Sequence, residues 1–266
     1  MKTAVSLRLA LSFLGFGSRT GESQARKSLY GAIAGIGISI IPLVVVLVVS
    51  DGMIEGITSR LLELSSSHIR VTDYYRTSPI SDDPVAFATF ARSLVSTDNS
   101  GSILQAFPER EGMALVVGKN GRSGGTVRSV DPAFLSPENP AMDLLRVRAG
   151  ERKLANSHDA VLGEKLARDL DIAIGDTFRI LTIRKTETGR VVPRFTRFTL
   201  TGTVSSGYQE LDALWVFIPF ETGCEILSPD SSNSFITIRT ADPFGSIERS
   251  RVELLQKLPE GFRVYT

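Results

Sequence analysis

The sequence predicts an α+β fold in two parts: one N-terminal transmembrane helix with a stalk, then a domain of two βαβ-like halves with a strand-rich insertion. Three observations predict it. Ser28 to Ser50 is a run of 23 residues without Asp, Glu, Lys, Arg or His. Apolar residues continue beyond it at spacings of three and four. Past residue 67 the pattern turns to short alternating segments separated by Gly, Pro and Asn, with helical spacing returning in only a few places.

The uncharged run is long enough to cross a bilayer core of ~30 Å, which takes about 20 helical residues. Lys2, Arg8, Arg19, Arg26 and Lys27 precede it against Glu22 alone, while Asp51 and Glu55 follow it with no basic residue before Arg60. This asymmetry puts the N-terminus on the cytoplasmic side and the rest outside. A signal peptide has a shorter apolar region, about 7–15 residues, ended by a small-residue cleavage site; here helical pattern continues instead. Nothing else in the chain is apolar enough to surround the run as a soluble core helix. Residues 5–16, with one Arg, suit a helix lying in the interface. Within the span, Pro42 is tolerated, and Gly31, Gly35 and Ser39 form a small-residue stripe where a second helix could approach.

Ile54, Ile57, Leu61 and Leu64 keep the helical spacing, with Glu55, Arg60 and Glu63 off the stripe. One helix from Leu29 to Leu64 is therefore expected to carry a stalk, its apolar stripe calling for a partner. His68 to Thr72 alternates as a strand, and Val85 to Val95 reads as a helix capped by Asp82 or Asp83. Ser102–Phe107 and Met113–Val117 read as paired strands. Gly118-Lys119-Asn120-Gly121 reads as a hairpin turn, with Asn-Gly supplying positive φ. A proline-rich connection spans Asp131 to Pro140. Then follow Val161–Gly163, a short helix Glu164–Leu170, strands Thr177–Ile183, Phe195–Val204 and Leu214–Pro219, and a helix Phe220–Leu227. Strand Ser234–Arg239, helix Ile247–Leu258 and strand Phe262–Tyr265 complete the second half. The expected organisation is leader 1–27, span 28–50, stalk 51–66 and outer domain 67–266, with the insertion at about 141–213.

The formal charge of +1 hides a net +4 over residues 1–28 (five basic, one acidic) and −3 over the rest (25 basic, 28 acidic). The outer part is thus no nucleic-acid face. Cys224 is the single cysteine, so no intrachain disulfide forms, and it reads as a small core residue. The glycine-rich stretch Gly118 to Gly125 contains no Gly-Lys-Ser/Thr and leads into a strand, so it is no phosphate loop and the chain has no ATP site of its own. His68 and His158 have no neighbouring ligand types, which argues against a metal centre. No Gly-x-Ser-x-Gly occurs. Glu210 and Asp212, two apart, read as structural acids. No catalytic, cofactor or metal site is expected: the chain is not an enzyme.

Several blocks in order resemble one family. They are the apolar elbow SLRLALSFLGF, the segment Ser50-Asp51-Gly52-Met53-Ile54 opening the stalk, and His68-Ile69-Arg70-Val71. Val161-Leu162-Gly163-Glu164-Lys165-Leu166-Ala167 with Gly175-Asp176, then Gly207 to Asp212, and Leu258 to Val264 complete the set. Together they are similar to the lipoprotein-releasing transmembrane proteins of the LolC/LolE type, whose outer part is a MacB-like periplasmic core domain. The resemblance implies a bacterial inner-membrane ABC permease subunit that transmits movement rather than opening a pore. It implies a cytoplasmic ATPase, a sister permease, lipoprotein cargo and a periplasmic chaperone as partners. The family continues past the matching point with three more membrane helices, so the expectation is a single-span subunit, or a split or truncated half of one. The alternatives are a membrane-anchored binding or scaffolding module without ATP coupling and an exporter of another cargo.

In the family branch that captures the chaperone, a hairpin hook carries Thr-Pro-x-Gly-x-x-Pro. The matching stretch here runs from Thr186 to Arg194. Thr186, Gly189 and Pro193 fit; Glu187 replaces the first proline and one residue is added before Pro193. Lys185, Arg190, Arg194 and Arg197 make the neighbourhood basic, which suits an acidic partner rim; a solvated hairpin with ordinary surface charge is the alternative.

Overall fold

The structure is a computed structural model that describes residues 24–65, 68–73, 79–81, 83–96, 101–185, 190–229, 232–241 and 247–265. The chain divides into two compact units, Met1–Ser59 and Arg60–Thr266. Helix α1 (Gln24–Ser65) is continuous over 42 residues, about 60 Å at 1.5 Å per residue. Tyr30–Ile54 within it is, among the described residues, the helix segment long and apolar enough to cross a membrane.

The strands join one sheet in the spatial order 262–265, 69–73, 232–240, 103–118, 121–130, 215–219, 159–163, 191–205 and 146–150, with 177–185 bridging 103–118 and 191–205. Its first part is a β-α-β-β-α-β arrangement. Strand β1 (Ile69–Asp73), helix α2 (Pro84–Ser96) and strand β2 (Ile103–Gly118) form one half; β9 (Ser232–Thr240), α6 (Ile247–Lys257) and β10 (Phe262–Tyr265) form the other. Each half's strands lie parallel with a strand of the other half between them, so the two expected βαβ-like halves interleave as a split βαβ pattern. α2 starts where Asp83 accepts the Val85 N–H at 2.9 Å, an N-cap before the proline at the first helical position. Ile69, Val71, Ile236, Ile238, Phe262 and Val264 alternate onto one face and bury against Phe87, Ala91, Leu94 and Leu254 of the helices. Phe90 meets Phe262 at 5.3 Å between ring centres, an aromatic packing distance that adds to simple burial.

Between the halves the chain builds β3 (Gly121–Val130), β4 (Arg146–Gly150), β5 (Asp159–Gly163), α3 (Glu164–Asp169) and β6 (Thr177–Lys185). There follow β7 (Val191–Ser205), α4 (Gln209–Asp212), β8 (Trp215–Pro219) and α5 (Phe220–Ile226). Following the ladders β2–β3, β3–β8, β8–β5, β5–β7, β7–β6 and β6–β2 returns to the starting strand. The insertion is therefore a closed six-stranded barrel, and closure removes free edges from those strands. Val116, Val127, Leu162, Phe178, Ile180, Phe198, Leu200 and Val216 fill it. Edge strand β4, absent from the sequence reading, pairs with β7 alone and is exposed along its length.

Two expectations are corrected. Ser102–Phe107 and Met113–Val117 are not paired strands but the two ends of β2, which runs unbroken over 16 residues. The charged stretch between them, Glu109-Arg110-Glu111, stays in the strand because its side chains find partners on neighbouring strands. The β2–β3 turn does form, with Gly118 opposite Gly121, but positive φ appears at Gly121 (132°) and not at Asn120, Asp171 being the non-glycine so placed among the described residues.

Candidate partner-binding hairpin

β6 and β7 form an antiparallel hairpin registered from Thr177 opposite Thr199 to Lys185 opposite Val191. Alternation sorts its side chains onto two faces. Phe178, Ile180, Thr182 and Phe198 point into the barrel and are buried. The other face is outward and continues across β6 onto β2 and β3, because directly opposed residues share a face.

Three register rows cross this outer face. Arg122, Val117, Arg179 and Arg197 lie abreast on β3, β2, β6 and β7. One step along, Leu115, Leu181 and Phe195 lie abreast, with Gly124 beside Leu115. The third row brings Ile183 opposite Pro193, with Met113 two residues along β2 from Leu115. Met113, Ile183 and Phe195 are 69%, 59% and 56% exposed. The three arginines are exposed as well. The barrel thus presents an apolar field bordered by a row of guanidinium groups, the composition that marks desolvated protein contacts. Alternation held the signal for it: β2 and β6 are apolar on both faces, although only one can line the core.

The hook-like residues divide between faces. Pro193 joins the outer face opposite Ile183. Arg194 pairs with inward-facing Thr182 and donates from Nη1 to the Glu225 carbonyl at 2.8 Å, which turns it towards α5 and away from Arg197. Arg190 is exposed where β7 begins. Thr186, Glu187 and Gly189 lie outside the described residues.

Of the helix residues singled out, Gly31 and Gly35 have open space where a Cβ would stand, and the Ser39 hydroxyl donates to the Ile36 carbonyl of its own helix at 2.8 Å. Ile54, Ile57, Leu61 and Leu64 all fall within α1, Ile54 being 62% exposed.

The acidic pair separates. Glu210 is exposed, whereas Asp212 is buried, its carboxylate accepting from Ser205 Oγ at 2.6 Å, Ser206 N at 2.7 Å and Ser206 Oγ at 2.8 Å. It fixes the β7–α4 turn. At the same end of the barrel Lys119 Nζ donates to Asp176 Oδ2 at 2.5 Å. That bond, with a further one from Ala173 N–H, holds the Asp176 carboxyl below the usual carboxylate range, and the same bond raises the Lys119 ammonium. His68 Nδ1 accepts the Thr240 N–H at 3.1 Å, pinning the start of β1 to the end of β9.

A split βαβ sheet continued into a closed barrel, downstream of an apolar helix, defines a helix-anchored α+β domain that offers one outward apolar face and no assembled set of reacting groups among the described residues. The chain belongs to the MacB-like periplasmic core domain family, whose model matches residues 31–248. Its curated relatives include the lipoprotein-releasing system transmembrane protein LolC of Neisseria meningitidis serogroup B, 26% identical over 214 residues, which are 80% of this chain and 49% of that protein. The protein of the same name from Xylella fastidiosa strain Temecula1 is 27% identical over 201 residues, 75% of this chain and 46% of that one. The chain spans about half the length of the curated relatives it matches. Among solved structures, the periplasmic region of MacB from Actinobacillus actinomycetemcomitans is 16% identical with a TM-score of 0.47, over 74% of this chain and 87% of that one. The extracellular domain of the ABC-type transporter YknZ from Gram-positive bacteria is 11% identical with a TM-score of 0.46, over 74% and 99%.

Proposed function

We propose that the chain is a permease subunit, or part of one, of an inner-membrane ABC transporter that works by mechanotransmission, releasing lipoproteins from the membrane to a periplasmic chaperone. ATP is hydrolysed on a separate cytoplasmic ATPase, and a sister permease stands beside this one. The N-terminus is cytoplasmic and the chain beyond about residue 51 is periplasmic, as the basic leader dictates. The observation that carries the reading is α1: a single helix extends from the apolar span to within a few residues of β1, so a displacement at the membrane has a stiff element to act through. The LolC names of its relatives point to lipoprotein release.

The β6–β7 hairpin is the proposed chaperone contact. Its apolar field buries against the partner while Arg122, Arg179 and Arg197 meet an acidic rim, which favours fast encounter and selects register. Site-specific photo-crosslinking in cells from Glu187 and Arg190 tests this. Capture of a soluble lipoprotein carrier supports it; capture of a neighbouring permease domain and nothing else removes the hairpin from chaperone binding. The competing reading, an anchored scaffold without ATP coupling, shares the hairpin contact and differs at the stalk.

A further inference from the structure

β2 belongs to both the split βαβ sheet and the barrel, and the two ladders overlap along it only briefly. β9 pairs with residues from Ile103 to Gly112, and β3 with Glu109 to Gly118. Glu109, Arg110, Glu111 and Gly112 are therefore the residues of β2 held by both neighbours. The shared ladder is four residues long, so side-chain bonds across it have a large part in fixing the angle between the sheet and the barrel.

Side chains cross-link this junction on both faces. The Glu109 carboxylate is fully buried and accepts from β3 and β9 together. Arg128 Nη2 reaches it at 2.8 Å and Arg128 Nε at 3.3 Å, and Thr237 Oγ1 donates to its other oxygen at 2.5 Å. Arg128, also buried, has the rings of Phe134, Trp215 and Phe217 at 5.5, 5.7 and 5.5 Å from its guanidinium carbon. On the opposite face Arg110 donates to Ser234 Oγ of β9 at 2.8 Å and to the Cys224 carbonyl of α5 at 3.3 Å. Ser129 Oγ of β3 donates to the Arg110 carbonyl at 2.7 Å. Glu111 lies 3.7 Å from Arg70 of β1, whose guanidinium stands 3.6 Å above the Phe235 ring of β9.

Well-packed apolar residues would supply as much stability as a buried ion pair. What the charges add is direction, because each bond fixes an angle as well as a distance. We propose that Glu109–Gly112 is a rigid coupler: its cross-links make the split βαβ sheet and the barrel turn as one body, so that a displacement reaching β1 arrives at the β6–β7 hairpin undamped. The use of that rigidity in transport rests on the function proposed above; the rigidity itself does not.

The test is pulsed electron–electron double resonance on the full chain in nanodiscs. Cys224 is replaced by Ala, and spin labels are placed at Val85→Cys on α2 and Val147→Cys on β4, both exposed. The parent gives one narrow distance distribution. The double variant Glu109→Leu/Arg128→Met leaves no unpaired buried charge and should melt cooperatively, yet broaden the distribution by about twofold or more as the junction starts to flex. Should that variant fail to fold, Thr237→Val removes a single bond to Glu109 and must still broaden it measurably. A parent distribution that is already broad, or a folded variant as narrow as the parent, overturns the coupler. Lipoprotein release measured on the same variants separates the two ideas: broadening with release intact keeps the coupler and removes its role in transport.

Discussion

The guanidinium carbon of Arg179 lies 5.6 Å from the centre of the Phe195 ring, joining the basic row of the barrel face to its apolar field through one cation–π contact. Arg179 and Phe195 are diagonal neighbours on β6 and β7, so the boundary between the two chemistries runs between adjacent rows. Phe195 and Ile183 are more than half exposed. Their replacement by Ser should leave the melting temperature nearly unchanged, within about 0.5 kcal/mol of stability, while sharply lowering the yield of partner crosslinked from Arg190. Arg197→Glu should slow association and weaken its dependence on salt. Unchanged yield in the Phe195→Ser/Ile183→Ser variant would sink the face as a docking surface.

Gly163 ends β5 against the backbone of Asp212, and a Cβ there would collide with the Asp212 carbonyl. Gly163→Ala must push β5 away from the turn that Asp212 organises through Ser205 and Ser206. A cost of about 1–3 kcal/mol is expected, the usual range for overpacking, read from the urea midpoint of the chain in detergent. Gly124→Ala, where a Cβ meets nothing within 4 Å, is the control and should cost far less.

The contrast between those glycines shows what the sequence could and could not tell. Gly163 and Asp212 belong to two separate blocks that each resembled the family, and the fold brings the blocks into contact. The split βαβ halves were legible because their helices and strands carry clean periods, as in Ile236 and Ile238 against Thr237. The continuity of β2 was not. Glu109-Arg110-Glu111 looks like solvated surface until Arg128, Ser234 and Arg70 are placed beside it, and those partners come from other strands. Barrel closure was hidden for the same reason: Leu115 meets Leu181 across a separation that no local pattern reports. β4 was missed because Arg146 to Gly150 has no buried face to alternate. The basic residues near the hook were visible in sequence, but only register shows that Arg197 faces outward while Arg194 turns to α5.

The Lys119–Asp176 bond ties the β2–β3 turn to the segment that opens β6, and it gives stability a pH dependence. The Asp176 carboxyl is depressed in the fold by its bond to Lys119 and then by the Ala173 N–H. Its contribution is therefore fully present above the ordinary carboxylate value of about 3.9 and is lost as pH falls through the lower folded value. Lys119 is raised in the fold, so its share is present below its ordinary value of about 10.4 and is lost as pH rises through the folded one. Asp176→Asn should lower the melting temperature most between these two values and flatten both the acid and the alkaline limb, so that variant and parent converge at the extremes. A curve that superimposes on the parent across the whole range would mean the pair is solvated away.

The stalk distinguishes a transport subunit from an anchored scaffold. α1 stays helical through Ser65, and the sequence spacing of Ile54, Ile57, Leu61 and Leu64, three and four residues apart, is the spacing that would set them on one helical stripe. An apolar stripe on a helix beyond the bilayer is stable in company, most simply with the matching stripe of a sister stalk. Ile57→Asp and Leu61→Asp each place a carboxylate in that seam at a propensity cost of only about 0.5–0.7 kcal/mol to the helix itself. If the stalk transmits ATP-driven movement, either substitution should abolish lipoprotein release while the hairpin still crosslinks its partner from Arg190, because binding and coupling use separate residues. If the chain merely holds a partner near the membrane, release and crosslinking should both survive. Loss of crosslinking together with release would show instead that the stalk stripe is needed to present the domain at all.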